Sequence, residues 1–202
     1  MKLTTMVVAA VVAAMEAQAG SPKSELDARV TVFTYNRAGI PWVVLERARR
    51  VAAAAFATAG IEVRWVEGKR LGEPRKAAGE ALTVVFDGPA MAGVTPRAMA
   101  FTNVGGVADA DVHVFYSRVV READPVYMPE FLGNVLAHEL THALQGTVRH
   151  SSEGLMKAAW SNADHAEMGN RRPLPFAAVD LELLRAHFNK EMSPVPTPVA
   201  AR

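Results

Sequence analysis

The chain has 202 residues, of which 50% are hydrophobic and 21% are charged, a composition typical of one globular domain. Its formal net charge of +1 provides no electrostatic basis for binding nucleic acid or an acidic membrane surface. Cysteine is absent, which excludes disulfides, thiolate metal sites and cysteine nucleophiles.

The N-terminal residues 1–19 have the pattern of a secretory signal peptide. Lys2 precedes an apolar run at 6–15, and Ala17-Gln18-Ala19 forms a small-x-small cleavage sequence before Gly20. The run has 10 residues, whereas a membrane-spanning helix needs about 20. We therefore predict a mature protein that begins at Gly20, is secreted or periplasmic and is not inserted in the membrane. An uncleaved N-terminal helix is the alternative.

The first half of the mature chain predicts strands around one helix. Residues 29–35 favour a strand, 42–58 show apolar residues at helical spacing, and 61–66 alternate strictly as a half-buried strand does. Strand–helix–strand order predicts a parallel pair with a right-handed crossover. After a polar loop at 68–80, the apolar run 82–86 predicts a central strand.

The second half predicts further strands and two helices. A short apolar piece at 99–101 and a strand at 112–119 could form an edge pair resembling a hairpin. Helices are predicted at about 130–145 and at 177–189, with an irregular stretch between them. The Pro-rich tail 193–202 is predicted to be disordered. Four apolar residues are predicted on the inner side of the last helix: Leu181, Leu183, Leu184 and Phe188.

A zinc-binding motif lies on the first of these two helices. His138, Glu139 and His142 form the pattern H-E-x-x-H. Helix positions i and i+4 are neighbours on one face, so both imidazoles can bind one zinc ion at roughly 2.0–2.1 Å. Glu139 lies beside the first ligand, where its carboxylate can act as general base on water. An apolar stripe on the opposite face would bury the helix: Leu132, Leu136, Leu140 and Ala143.

A catalytic zinc usually has three protein ligands and one open position, so a third ligand is required. Four downstream side chains are candidates: His150, Glu153, Asp164 and His165. Gly146 can end the helix in a left-handed conformation and turn the chain back toward the metal. We predict His150 as the ligand, because it comes soonest after that turn.

These residues resemble the metzincin clan of zinc peptidases, in which a glycine turn delivers a third histidine and a methionine turn lies beneath the metal. The third histidine here comes eight positions after His142, with one extra residue on each side of Gly146 compared with the usual H-E-x-x-H-x-x-G-x-x-H. The stretch from His150 through Met156 to Trp160 resembles small exported bacterial metzincin-like proteins.

The resemblance implies an α+β fold in which a mixed, twisted sheet of about five strands packs on two long helices, with a further C-terminal helix. It implies that 99–101 is an edge strand lining the cleft and binding an extended peptide. It also implies that Met156 packs beneath the metal and that Trp160 lines a substrate pocket.

We therefore predict an exported zinc-dependent endopeptidase with its catalytic domain at 20–192. His138, His142 and His150 would bind Zn²⁺, Glu139 would be catalytic, and the substrate would be a peptide or protein. Three alternatives remain open at this point. They are a gluzincin-like hydrolase with an acidic third ligand, a non-catalytic domain stabilised by zinc, and a hydrolase of non-peptide amides.

Overall fold

A computed structural model describes residues 28–68, 80–88, 98–104 and 112–192. The elements within these ranges are, in chain order, β1 (Ala28–Asn36), α1 (Trp42–Ala57), β2 (Ile61–Glu67), β3 (Glu80–Asp87), β4 (Ala100–Thr102), β5 (Val112–Phe115), α2 (Tyr116–Glu122), α3 (Met128–Gln145), α4 (Asn162–Gly169) and α5 (Ala178–Met192). The predicted signal peptide with its cleavage site, most of the loop at 68–80, and the tail 193–202 lie outside the described residues. Among the helices described, none has the length and apolar character that crossing a bilayer requires.

The five strands form one mixed sheet in the order β2-β1-β3-β5-β4. The first four strands of this order pair in parallel, and β4 pairs antiparallel with β5 at the end of the sheet. β3 is the middle strand, and its residues 81–86 are all buried, as expected for a strand covered on both faces. The predicted α+β fold is confirmed, including the parallel β1–β2 pair and the β4–β5 edge pair.

The two long helices α1 and α3 pack against each other, and α3 also contacts β4 and β5. The helices approach closely at Gly133, where an added Cβ atom would lie 2.6 Å from the Cβ of Val51 and 2.7 Å from the carbonyl oxygen of Ala48. A side chain of any size would push the helices apart. The leucines of the predicted stripe on α3 are fully buried, so the motif helix is fixed within the core.

The predicted strand at 112–119 is wrong beyond Phe115, because the chain turns into helix α2 at Tyr116. Phe115, Val119 and Ala123 are all buried and lie four residues apart. That spacing belongs to one face of a helix, whereas a strand buries every second residue.

The stretch between the motif helix and the last helix is predicted to be irregular, but the structure contains a helix there, α4. Ser161 accepts a hydrogen bond from the backbone N–H of Asp164, and the Asp164 side chain accepts one from the Ser161 N–H, forming a capping box. On α5, Leu184 and Phe188 are buried as predicted, but Leu183 is 38% exposed. The prediction for Leu183 was wrong, because the neighbour of a buried residue points about 100° away around the helix.

Candidate metal centre

The last turns of α3 bring the side chains of His138 and His142 together on one face. Both residues are buried, and their Nε2 atoms lie 3.0 Å apart. The helix ends at Gly146, which adopts the left-handed conformation with φ 62° and ψ 31°. A residue with a Cβ atom is strained in that conformation, so glycine at this position allows the chain to reverse after the second histidine.

The outer nitrogen of each buried histidine is held by a backbone carbonyl. Nδ1 of His138 lies 2.9 Å from the oxygen of Leu155, and Nδ1 of His142 lies 2.8 Å from the oxygen of Thr147. A carbonyl oxygen only accepts hydrogen bonds, so each Nδ1 carries the proton of its neutral ring. Both Nε2 atoms are then left with lone pairs that face each other, an arrangement that a cation between them would stabilise.

Both rings are in the uncharged form that binds metal at neutral pH. Burial lowers the pKa of His138 to about 4, against an opposing effect of its hydrogen bond to Leu155. Burial likewise lowers the pKa of His142 to about 4, with a further lowering from the neighbouring His138. Metal binding at pH 7 therefore does not have to displace protons from these nitrogens.

His150 completes the cluster from the loop after α3. Its ring centre lies 5.3 Å from that of His138 and 4.9 Å from that of His142, and its side chain is exposed. The ligand atoms of the three imidazoles all lie within 4.8 Å of one another. This set could hold a metal ion, with the exposed side of His150 facing the solvent.

The other three candidates for the third ligand do not join this group. In the described part of the chain, the potential metal-binding group comprises the three histidines only. Glu153 is exposed, Asp164 pairs with Lys157 and caps α4, and His165 lies 3.2 Å from the hydroxyl of Tyr127.

Glu139 lines the same cleft as the three histidines and contacts strand β4 through its carboxylate. The hydroxyl of Thr102 donates a hydrogen bond to Oε2 of Glu139 and also lies 3.2 Å from its backbone oxygen. Burial raises the pKa of Glu139, while the Thr102 hydrogen bond and the nearby His142 lower it. Thr102 lies one residue beyond the edge strand predicted at 99–101 and was therefore not predicted as a site residue. The observed strand β4 extends to Thr102, which lies on the same face as Ala100.

The turn after His150 holds His138 through the backbone carbonyl of Leu155. Met156 is fully buried, and Leu155 directly before it offers the carbonyl that holds His138. The same carbonyl accepts a hydrogen bond of 3.1 Å from the indole Nε1 of Trp160, whose ring stands edge-on to His138 at 5.8 Å. The backbone N–H of Leu155 in turn donates to the oxygen of Pro175 at 2.7 Å, so the supporting carbonyl is fixed on both sides.

An open cleft of about 460 Å³ exposes the cluster to solvent. The cleft is lined by strand β4 and the residues before it, by the motif face of α3 and by the segment 157–160. Phe101 is 45% exposed and Val148 is 70% exposed in the same cleft, so apolar surface flanks the histidines. The cleft thus combines a possible metal site, a carboxylate and apolar walls.

No protein-family model matches the chain, and no curated protein matches its sequence. Among solved structures, the chain is similar to an archaemetzincin from Methanopyrus kandleri. The two are 16% identical in sequence, the match covers 80% of this chain and 96% of that chain, and the TM-score is 0.49. The similarity concerns the course of the backbone, while the chemistry of the cleft rests on the side chains described above.

Proposed function

We propose that this protein is an exported zinc-dependent endopeptidase. The observation that carries the proposal is the facing pair of Nε2 atoms, 3.0 Å apart, on two buried neutral imidazoles whose Nδ1 protons both point at carbonyls. This arrangement has no stable hydrogen-bonding solution of its own and is relieved by a cation. The export part of the proposal rests on the N-terminal sequence pattern.

The donor set fits zinc. Two nitrogens bound tetrahedrally to one zinc at 2.0–2.1 Å lie about 3.3 Å apart, which is close to the distance between Nε2 of His138 and Nε2 of His142. His150 would supply a third nitrogen of the same kind. Three imidazoles with one side open to a cleft match a catalytic site, since structural zinc sites are closed by four protein ligands. Imidazole also binds copper and nickel, so the metal itself must be measured.

The residues around the cluster suit hydrolysis of an amide. A bound zinc ion would supply Lewis acidity, which acidifies water and polarises a carbonyl group. The Glu139 carboxylate would accept the proton of the attacking water and donate it to the departing amine. Its raised pKa favours this exchange, because a carboxylate with a pKa nearer to neutrality both takes up and releases a proton readily.

Strand β4 offers a docking edge for the substrate. It pairs with β5 on one side and lines the cleft with its residues 100–102. An extended peptide could add to this edge through main-chain hydrogen bonds and reach the metal. Phe101 and Val148 would then contact side chains near the scissile bond, which favours apolar residues at those positions.

The proposal is tested by metal analysis of the purified chain together with digestion of a peptide library. We expect about one zinc per chain and internal cleavage that stops on chelation and returns with zinc. The variant Glu139→Gln is the matched control for a contaminating protease, because it changes one side chain by isosteric replacement. Zinc binding without cleavage of peptides or of other amides would favour the non-catalytic alternative instead.

A further inference from the structure

We propose that Asp180 on α5 is a positioning residue that holds His150 in place as the third metal ligand. The inference rests on the proposed metal site and explains how an exposed side chain in a lengthened loop can serve it. Asp180 lies 30 positions beyond His150, and the motif itself contains nothing that indicates such a role.

The carboxylate of Asp180 holds both neighbours of His150 in the chain. The hydroxyl of Ser151 lies 2.8 Å from each of its two oxygens, and the guanidinium of Arg149 donates a hydrogen bond to Oδ1 and forms an ion pair with it. The Asp180 side chain is 0% exposed and the Arg149 side chain is 37% exposed, so the carboxylate end of the pair is shielded from solvent. His150 is therefore the one residue between two anchored positions.

Backbone contacts extend this clamp to the rest of the site. The N–H of Ser151 donates to the oxygen of Met156 at 2.8 Å, and Ser151 forms a bridge with Lys157. Gln145 is the last residue of α3, and its side-chain Nε2 donates a hydrogen bond of 3.5 Å to the backbone oxygen of Asp180. Asp180 thus connects the end of the motif helix, the His150 loop and the turn at Met156.

The physical need for the clamp follows from exposure and loop length. His150 is exposed, so packing does not select its rotamer, and ordering a free side chain and backbone costs conformational entropy. Eight positions separate it from His142, two more than in the usual motif, so the loop has more conformations to lose. Fixing both adjacent residues before the metal arrives removes much of that cost from metal binding.

The test is a double-mutant cycle on zinc affinity, measured by competition with a chromogenic chelator in the full-length protein. Asp180→Asn should weaken zinc binding by about 10- to 100-fold, the range seen for residues that orient metal ligands. His150→Ala should also weaken it, and adding Asp180→Asn to that variant should change the affinity by less than about twofold, because coupled residues are not additive. Glu182→Gln is the matched control, since it removes one carboxylate from the exposed face of the same helix.

The outcomes separate this inference from the proposed function. An equal loss from Asp180→Asn with and without His150 would mean that the carboxylate acts through its charge or through the fold, and would overturn the positioning role. Unchanged affinity in Asp180→Asn would overturn it as well. A wild-type chain that binds no zinc would refute the metal site itself, and with it this inference.

If Asp180→Asn does not fold by circular dichroism, Ser151→Ala is the second variant. It keeps the charges of Asp180 and Arg149 and removes the hydrogen bonding of the Ser151 hydroxyl with both side chains. That variant should lose about threefold or more in zinc affinity, again only when His150 is present. Unchanged affinity there would equally contradict the proposal.

Discussion

Replacing Glu139 by glutamine separates the proposed catalytic role of this side chain from its contacts in the fold. Glutamine has nearly the same shape and keeps an oxygen that can accept the Thr102 hydrogen bond, so the contacts of α3 with β4 are preserved. If Glu139 is the general base, as proposed, the rate should fall by about 10²- to 10⁴-fold, which corresponds to about 3 to 5 kcal/mol of activation free energy. Zinc affinity should change little, because Glu139 is not a ligand in the proposed site.

The same substitution should not destabilise the metal-free protein at neutral pH. Burial raises the pKa of Glu139 above its unfolded value, so the folded state disfavours the ionised form. The folded state then binds the proton more tightly than the unfolded state, and stability contributed by Glu139 is present at low pH and lost as pH rises through the folded pKa. Neutral glutamine avoids this loss.

The assay combines peptide hydrolysis, zinc titration and thermal unfolding in the presence of chelator. We expect a large loss of kcat/KM, unchanged zinc affinity, and a melting temperature of the metal-free variant at pH 8 equal to or above that of the wild type. Wild-type turnover in Glu139→Gln would refute the proposed mechanism. A lower melting temperature with normal turnover would indicate that Glu139 serves the fold instead.

In the metal-free Glu139→Gln variant, which lacks the opposing contribution of Glu139, the free energy of unfolding should fall as the pH drops from about 6.5 to about 4, because the unfolded state binds protons on His138 and His142 that the buried imidazoles do not bind. Denaturant titrations across this range would show the fall, and a flat profile would contradict the lowered pKa values. Thr102→Val should raise the pKa of Glu139, because it removes a hydrogen bond that lowers this pKa, and the acidic limb of the kcat/KM profile should move to higher pH. Thr102→Ser should keep the limb at its wild-type position. An unmoved limb in the valine variant would exclude an effect of Thr102 on the pKa of Glu139. Gly133→Ala should lower the free energy of unfolding, measured by urea titration, by about 1 to 3 kcal/mol, because the new methyl group would clash with the backbone and a side chain of α1. Wild-type stability in this variant would show that α1 and α3 can move apart at no cost.

The parts of the molecule that sequence predicted well are those with strong local periodicity. The alternation along β1 and β2 and the apolar run of β3 specify half-buried and buried strands. The helical spacing of H-E-x-x-H places the imidazoles of His138 and His142 on one face, and in the structure their Nε2 atoms lie 3.0 Å apart. Near neighbours in sequence determine such features, so they can be inferred without tertiary information.

The parts that sequence did not reveal depend on contacts between distant residues. Nothing in the sequence distinguishes the backbone carbonyls of Leu155 and Thr147 from others, because only the fold places them against the two imidazoles. The partnership of Thr102 with Glu139 joins residues 37 positions apart, and that of Asp180 with Ser151 joins residues 29 positions apart. Helix α4 is a different case, because its capping box was visible in the sequence and indicates a helix start.

The central claim, a zinc ion held by three imidazoles beside an open position, is tested most directly by a crystal structure of the zinc-loaded protein with anomalous diffraction measured on both sides of the zinc absorption edge. We predict one anomalous peak at about 2.0–2.1 Å from nitrogens of His138, His142 and His150, with its remaining position facing the cleft and Glu139 unbound. A peak coordinated by Glu153 or by four protein side chains, or no peak at the three histidines, would contradict the account.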